Sequence, residues 1–216
     1  MKKIAVVLSG CGVFDGSEIQ EAVLSLFFLD RLGVDYQCFA PNKDKAHVVN
    51  HLTGEVSEGE SRNVLVESAR IARGKVIDLS KLKQEGFNGV LFPGGFGAAK
   101  NLCTFAFEGD QASIEEEVER VFRDFRKAEK PMGVLCIAPV IAAKVLEAEV
   151  TVGEEGDASV ALEKMGGKHV VKPVSEIHVD EVNNVITAPA YMYGEASISE
   201  VGEGIEKLVC ELIDRC

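Results

Sequence analysis

The sequence predicts a single α/β domain, built as a three-layer sandwich around a mostly parallel sheet. Short aliphatic runs such as Ile4 to Leu8 show no polar alternation, which is typical of strands buried on both faces. These runs alternate with segments of helical periodicity, the pattern of a parallel α/β fold. No linker, internal repeat or low-complexity segment interrupts the 216 residues, so one domain spanning 1–216 is expected.

The predicted elements follow in a regular order along the chain. Apolar strands are expected at residues 4–8 and 34–40, and in the runs that begin at Gly89 and Met132. Helices are expected at residues 16–32, 62–73, 114–128, 141–146, 159–165 and 195–215. Residues 177–180 and 185–188 predict a hairpin, because the intervening Asn-Asn tolerates turn dihedrals.

Composition restricts the class of protein and its partners. Hydrophobic residues make up 46% of the chain and charged residues 27%, which excludes global disorder. A formal net charge of -12 argues against nucleic acids and anionic membranes as partners, because both would repel the chain. No stretch approaches the roughly 18 apolar residues that a membrane helix needs. A soluble cytoplasmic protein is therefore expected.

The cysteines show no pattern of a metal site or a disulfide framework. Six of them, at positions 11, 38, 103, 136, 210 and 216, form neither a CxxC pair nor metal-finger spacing. Reduced thiols, mostly buried, are the expected state, with no metal and no cofactor.

The first twenty residues, MKKIAVVLSGCGVFDGSEIQ, fit three interpretations: an export signal, a dinucleotide-binding turn, or a wall of an active site. Lys2, Lys3 and Cys11 give the segment the look of a lipoprotein signal. However, its apolar run is shorter than the roughly 7 to 15 residues that export requires. Helical spacing also begins straight after the turn, at Ile19, Ala22, Val23 and Leu26.

The dinucleotide interpretation fails on one residue. Gly10 and Gly12 match the first two glycines of G-x-G-x-x-G, but the third place is occupied by Asp15. A carboxylate there would repel the pyrophosphate that the loop should hold. This leaves the active-site interpretation.

Cys136 occupies the junction between a strand and a helix in MGVLCIAP, the layout of a nucleophile elbow. Such a turn exposes the side chain at the sheet edge, and the following helix N-terminus is expected to favour the thiolate. The alternative is a buried thiol at the end of a strand.

Two other segments could complete a site around Cys136. The backbone amides of Gly94 and Gly95, in PGGFG, could bind developing negative charge, although an ordinary turn would have the same composition. Glu18 could exchange protons with the thiol. Alternatively, Asp15 could cap the first helix, with Glu18 reaching back to complete a capping box.

The segments SGCGVFDGSE, LFPGGFGAAKN, GVLCIAP and TAPAYM together resemble the ThiJ/PfpI superfamily, which has a flavodoxin-like, class I glutamine amidotransferase-like fold. The resemblance spans essentially the whole chain and is greatest to the isoprenoid-biosynthesis glyoxalase branch, also called enhancing-lycopene-biosynthesis proteins. It implies a nucleophilic Cys136, a nearby Glu18 and an oxyanion site at Gly94 and Gly95. It also implies a homodimer.

The sequence departs from the hydrolase members of that superfamily. Amidases and proteases carry a histidine directly after the nucleophile, where this chain has Ile137. The late segment from Thr187 to Glu195 also lacks the histidine of glutaminases. A Cys-His-Glu triad is therefore not expected, and the remaining histidines are interpreted as surface or structural residues: His47, His51, His169 and His178.

The resemblance implies a cofactor-free glyoxalase that converts methylglyoxal or glyoxal, a small dicarbonyl, to the 2-hydroxy acid. Cys136 would form a hemithioacetal and Glu18 would move the proton between the two carbons. Two alternatives remain: a redox sensor in which Cys136 is oxidised, and a glutaminase-like domain with a partner synthase. Further residues are predicted to line the pocket: Cys11, Gly12, Asn101, Ile137 and Tyr191. For Cys11, the alternative is a small buried side chain that only fills space between two glycines.

Overall fold

A seven-stranded sheet forms the centre of the computed structural model, which describes residues 2–216. The strands of the chain are β1 (Lys3–Val7), β2 (Asp35–Ala40), β3 (Val76–Asp78), β4 (Gly89–Phe92), β5 (Met132–Leu135), β6 (Glu149–Val150), β7 (Lys168–His169), β8 (His178–Asp180) and β9 (Val185–Ala188). The sheet order is β3-β2-β1-β4-β5-β9-β8, and β6 pairs with β7 in a separate two-stranded ribbon.

All neighbouring strands of the main sheet run parallel except β8, which pairs antiparallel with β9. The predicted parallel sheet and hairpin are therefore confirmed. The chain moves outward from β1 to β3 and then returns to place β4 on the other side of β1. In such sheets, ligands bind beyond the carboxyl ends of the strands at the point where the order reverses.

Helices cover both faces of the sheet and give the three predicted layers. They are α1 (Ile19–Arg31), α2 (Val64–Ile71), α3 (Phe96–Lys100), α4 (Phe105–Glu108), α5 (Glu116–Lys127), α6 (Pro139–Leu146), α7 (Asp157–Lys164) and α8 (Ile198–Asp214). Alternate residues of β1 enter opposite cores: Ile4 and Val6 join α1, α2 and α8, whereas Ala5 and Val7 join α5, α6 and α7. A strand buried on both faces explains why its sequence is continuously apolar.

Helix α1 begins at Ile19 and not at residue 16, because Glu18 is its N-cap. The Glu18 carboxylate accepts a hydrogen bond from the backbone N–H of Glu21 at 2.6 Å. The capping-box interpretation required Asp15 to cap the helix, and this is wrong. The Asp15 carboxylate is buried and forms a 2.7 Å ion pair with Lys45.

The buried face of α1 also differs from the predicted face. Ile19 and Val23, expected to be part of the apolar stripe, are 45% and 47% exposed. The face that packs on the sheet carries two polar side chains among apolar ones: Glu21, Ala22, Ser25, Phe28 and Leu29. A carboxylate on the interior side of a helix departs from the usual pattern and marks Glu21 for attention.

The polar segment 42–60 folds over the loop that follows β1. It contains an isolated bridge between Val49 and Val56, and the Val49 backbone N–H donates to Asp15 Oδ2 at 2.7 Å. Strands β3, β6 and β7 were not predicted, because two or three residues carry too little periodicity to identify. Among residues 2–216, no helix has the length and apolar character needed to cross a bilayer.

Candidate active site

The loops that follow β1, β4 and β5 meet at the carboxyl edge of the sheet. Backbone hydrogen bonds join the first two loops: Phe96 N–H donates to Val13 O at 2.7 Å, and Glu18 N–H donates to Gly94 O at 2.9 Å. The third loop is joined to the end of β9, where the Cys136 N–H donates to a carbonyl at 2.9 Å. The site is thus built on several rigid strand ends.

Cys136 has the backbone conformation of a nucleophile elbow. Its φ is +60°, a left-handed value that is uncommon for a residue with a side chain. It directly follows β5, and α6 begins three residues later at Pro139. This turn aims the Cys136 side chain at the carboxyl edge, where it is 7% exposed.

Glu21 is the carboxylate that contacts the Cys136 thiol. The two side chains are neighbours on the same side of Gly94: a Cβ placed there would lie 2.7 Å from Glu21 Oε2 and 3.0 Å from Cys136 Sγ, and each group shifts the pKa of the other. Glu21 is fully buried: Oε2 accepts the Gly94 N–H at 2.9 Å, and Oε1 accepts the Tyr191 N–H at 3.2 Å. These two backbone donors fix the orientation of the carboxylate. Glu21 was not among the predicted site residues.

Glu18 has a different position from the one predicted for the carboxylate next to the thiol. One of its oxygens is engaged at the start of α1, and its side chain forms part of the wall of the cavity above Cys136. Burial raises the pKa of Glu18, and backbone hydrogen bonds at the helix start oppose that rise. The site therefore holds two carboxylates, with Glu21 below and Glu18 at the side.

Burial dominates the electrostatics of this pair. It raises the pKa of Glu21 to about 7, and the neighbouring charge of Glu18 adds to the rise. Burial also raises the pKa of the Cys136 thiol well above its usual value, with the Glu21 charge as the second cause. The expectation that the helix N-terminus would favour a thiolate is therefore wrong for the resting site. At neutral pH the sulfur holds its proton, and the adjacent carboxylate can accept it.

Two backbone amides point toward the Cys136 sulfur, those of Gly95 and Ile137. They are the donors placed to bind an oxyanion that forms next to the sulfur. The Gly94 amide, predicted for this role, is engaged by Glu21. Gly94 nevertheless cannot carry a side chain, because a Cβ there would lie 2.7 Å from Glu21 Oε2 and 3.0 Å from Cys136 Sγ.

The cavity above Cys136 has a volume of about 330 Å³ and mostly apolar walls. Ile137 and Tyr191, both predicted as pocket residues, are part of it. The complete lining is Val13, Glu18, Gly95, Phe96, Cys136, Ile137, Tyr191 and Met192. Val13, Phe96 and Met192 were not among the predicted pocket residues, although each lies inside one of the quoted motifs.

Cys11, Gly12 and Asn101 lie away from this cavity, contrary to the prediction. Cys11 lines a separate cavity, of about 360 Å³, beneath the 42–60 segment. A Cβ on Gly12 would overlap the ring of His51. Asn101 is buried as a structural link, with Nδ2 donating to Ser9 O at 2.9 Å and Oδ1 accepting from Ala46 N–H at 2.9 Å.

The histidines do not take part in the site. Of the described residues that line the Cys136 cavity, none is a histidine. His51 lines the separate cavity with Cys11, and His178 lies 2.9 Å from Glu149. The structural interpretation given to the histidines is consistent with these positions.

Comparison with known proteins places the chain among amidotransferase-like proteins. No family profile matches it. It is 49% identical to human glutamine amidotransferase-like class 1 domain-containing protein 3, mitochondrial, over 98% of this chain and 82% of that protein. It is 48% identical to the rat ES1 protein homolog, mitochondrial, over 98% of this chain and 83% of that protein.

Solved structures give the same result. The crystal structure of an isoprenoid biosynthesis protein with amidotransferase-like domain from Ehrlichia chaffeensis has a TM-score of 0.92 and 41% identity, over 100% of this chain and 99% of that chain. A DJ-1 superfamily protein from Salmonella typhimurium has a TM-score of 0.60 at 22% identity, over 99% of this chain and 91% of that chain, and so shares the fold.

Proposed function

The chain belongs to the family of glutamine amidotransferase-like class 1 domain-containing proteins, and we propose that it is a cofactor-independent glyoxalase of the ThiJ/PfpI type. The substrate is a small 2-oxoaldehyde such as methylglyoxal or glyoxal, and the product is the 2-hydroxy acid. The close pairing of the Cys136 thiol with the buried Glu21 carboxylate at the base of an apolar cavity is the observation that supports this proposal most strongly.

The first step is addition of the Cys136 sulfur to the aldehyde carbon. A bond forms between Sγ and C1, and the thiol proton passes through the Glu21 carboxylate to the former aldehyde oxygen. The N–H groups of Gly95 and Ile137 stabilise the charge on that oxygen as the bond forms. The product is a hemithioacetal attached to Cys136.

The second step moves a proton between the two carbons. Glu21 removes the proton from C1 and returns it to C2 by way of an enediol, while the proton of the C1 hydroxyl passes to the C2 oxygen. C1 thereby becomes a thioester carbonyl and C2 a carbinol. A carboxylate with a pKa of about 7 suits this exchange, because it accepts and releases protons with similar ease at neutral pH. Water then cleaves the C1–S bond, which releases the 2-hydroxy acid and returns a proton to the sulfur.

Glu18 has a secondary role in this scheme. Its carboxylate lines the cavity and its charge helps to raise the pKa of Glu21. We therefore assign the proton transfer to Glu21. Glu18 acts indirectly, by raising the pKa of Glu21. Glu18 was predicted to pair with Cys136. The carboxylate beside the thiol is instead that of Glu21, about one turn further along α1.

The glutaminase-like alternative receives less support from the site. Glutamine carries a carboxylate, and no lysine or arginine among the described residues lines the Cys136 cavity to bind it. The histidine absent after Cys136 also argues against amide hydrolysis, since the position is Ile137.

The redox-sensor alternative is weakened by the state of the thiol. Peroxide reacts with thiolates, and burial together with Glu21 raises the pKa of Cys136. Slow oxidation of Cys136 by mild peroxide is expected, and mass spectrometry of the Cys136 peptide would measure it.

Location, pathway and assembly are part of the proposal as well. The human and rat relatives are named as mitochondrial proteins, and the Ehrlichia chaffeensis relative as an isoprenoid biosynthesis protein. For this chain, a cytoplasmic location and a link to isoprenoid production are proposals. A homodimer is proposed from the family resemblance, and the exposed apolar side chains of Val23 and Phe27 on α1 are consistent with it. Sedimentation equilibrium would test the dimer.

Formation of lactate from methylglyoxal tests the proposal. The Cys136→Ser variant should lose lactate formation by at least about a hundredfold, because a hydroxyl adds to aldehydes less readily and has no comparable acidity. Cys11→Ser is the matched control, since this cysteine lines a different cavity, and it should keep full activity. Undiminished lactate formation by Cys136→Ser would refute the glyoxalase assignment.

A further inference from the structure

We propose that the preferred substrates of this site are uncharged 2-oxoaldehydes with an apolar aryl or branched alkyl substituent, ahead of glyoxal and methylglyoxal. This inference rests on the proposed function and names the substrate class of the same site. Three properties of the cavity carry it: its size, the chemistry of its walls and the sign of its charges.

The size of the cavity exceeds the needs of the smallest dicarbonyls. At most about 30 Å³ is needed for each non-hydrogen atom, because this is the liquid volume of a whole water molecule, so the five such atoms of methylglyoxal need no more than roughly 150 Å³. The cavity measures about 330 Å³. Phenylglyoxal, with ten non-hydrogen atoms, needs no more than roughly 300 Å³ by the same measure and therefore fits. An aromatic substituent therefore matches the available space more closely than a methyl group.

The walls of the cavity separate polar from apolar contacts. The reacting groups lie at the base, where the Cys136 sulfur faces the amides of Gly95 and Ile137. Apolar side chains from separate segments form the walls: Val13 after β1, Phe96 at the start of α3, Ile137 after the elbow and Met192 after β9. When the aldehyde carbon is bound at the base of the cavity, a substituent on C2 extends between these side chains. Apolar surface buried against them favours binding.

The charges of the site exclude anionic substituents. Both ionisable side chains beside the sulfur are acidic, Glu21 at the base and Glu18 in the wall. The lining within residues 2–216 contains no cationic side chain. A carboxylate or phosphate on the substrate would therefore be placed in a negative field without a partner, at a cost in affinity.

Steady-state kinetics with the purified 216-residue chain test the inference. The value of kcat/KM for phenylglyoxal should exceed that for methylglyoxal by at least about tenfold, because one methylene in an apolar pocket already gives about tenfold or more. A para-carboxylate on phenylglyoxal should lower kcat/KM by about tenfold or more relative to phenylglyoxal itself, because the carboxylate would lie beside the acidic side chains of the site.

A cavity variant and a matched control locate the effect. Phe96 is 49% exposed, so Phe96→Ala removes a wall without opening the core. It should lower kcat/KM for phenylglyoxal by about tenfold and for methylglyoxal by less than about threefold. Phe107, 52% exposed and outside the cavity, provides the control: Phe107→Ala should change neither value.

The outcomes separate this inference from the proposed function. Turnover of methylglyoxal that equals or exceeds turnover of phenylglyoxal would overturn the inference and leave the glyoxalase proposal intact. If neither compound is turned over, the glyoxalase proposal fails, and protection of the Cys136 thiol from alkylation then measures the preference of the cavity. Stronger protection by phenylglyoxal than by methylglyoxal would support the apolar preference, and equal protection would overturn it.

Discussion

The Glu21 carboxylate and the Cys136 thiol lie side by side beneath the cavity, although they are 115 positions apart in sequence. The backbone amides of Gly94 and Tyr191 hold the two carboxylate oxygens in place. Strands β1, β4, β5 and β9 each end near this pair, so the parallel sheet itself creates the juxtaposition.

The pH dependence of turnover should follow the ionisation of Glu21. Addition of the thiol needs a carboxylate that can accept its proton, so kcat/KM for methylglyoxal should rise with pH and level off above about 7. Glu18→Gln removes the second cause of the raised Glu21 pKa and should therefore move this rise to lower pH. Initial rates between about pH 5 and pH 9 measure both profiles. A rise that stays unchanged in Glu18→Gln would show that Glu18 does not influence the base.

Folding stability should fall with rising pH as Glu21 ionises, whereas turnover should rise. The pKa of Glu21 is about 7 in the folded chain and near 4.5 unfolded, so the folded state binds more protons between these values. The stability that Glu21 contributes is fully present below about pH 4.5 and is lost as pH rises through about 7. The loss amounts to roughly 3 kcal/mol, at about 1.4 kcal/mol per pKa unit.

Urea unfolding at pH 5 and pH 8, compared between the wild type and Glu21→Gln, isolates this contribution. The variant should show a smaller decrease in unfolding free energy between the two pH values, because its side chain does not ionise. Acidic groups remote from Glu21 contribute equally to both proteins. Identical decreases in the two proteins would exclude a raised pKa for Glu21.

Gly94 should tolerate no side chain. In Gly94→Ala the new Cβ meets Glu21 Oε2 at 2.7 Å and Cys136 Sγ at 3.0 Å, so the two reacting side chains must move apart. Turnover should fall by about a hundredfold, since a displacement of about 1 Å has that effect. Gly86→Ala is the control, because a Cβ there meets no atom within 4 Å. Retention of full activity in Gly94→Ala would mean that the observed pairing is not used.

The sequence predicted the fold more completely than the site, and β1 shows the reason. Its residues from Ile4 to Val7 are buried on both faces, and burial on both faces leaves an uninterrupted apolar run that can be recognised directly. Cys136 could also be placed, because a strand that ends directly at a helix fixes the position of the elbow. These features depend on local sequence.

The acid could not be placed in the same way, because its role depends on which face of α1 meets the sheet. Glu18 and Glu21 lie three residues apart, and the N-cap at Glu18 shifts the start of the helix from its predicted position. Glu21 then falls on the interior face with Ser25, whereas Ile19 and Val23 face outward. The apolar spacing of Ile19 and Val23 indicated the wrong face, and tertiary packing overrode it.

The loop after β1 shows a second limit. Its residues alternate between two cavities, with Val13 facing Cys136 and Cys11 facing the space beneath the 42–60 segment. Nothing in the glycine-rich sequence around Gly12 specifies this division. It follows from the buried Asp15–Lys45 ion pair, which joins the loop to a segment thirty residues further along the chain.

A comparison of Glu21→Gln with Glu18→Gln tests the central claim most directly. Methylglyoxal turnover at pH 7.5 should fall in Glu21→Gln by about a hundredfold or more, the usual effect of losing a positioned acid–base group. Glu18→Gln should retain turnover to within about tenfold, because a Gln at this position keeps the cavity wall and weakens only the helix cap. Both variants should unfold well above the assay temperature. Loss of turnover in Glu18→Gln together with retained turnover in Glu21→Gln would contradict the assignment of Glu21 as the proton carrier for Cys136.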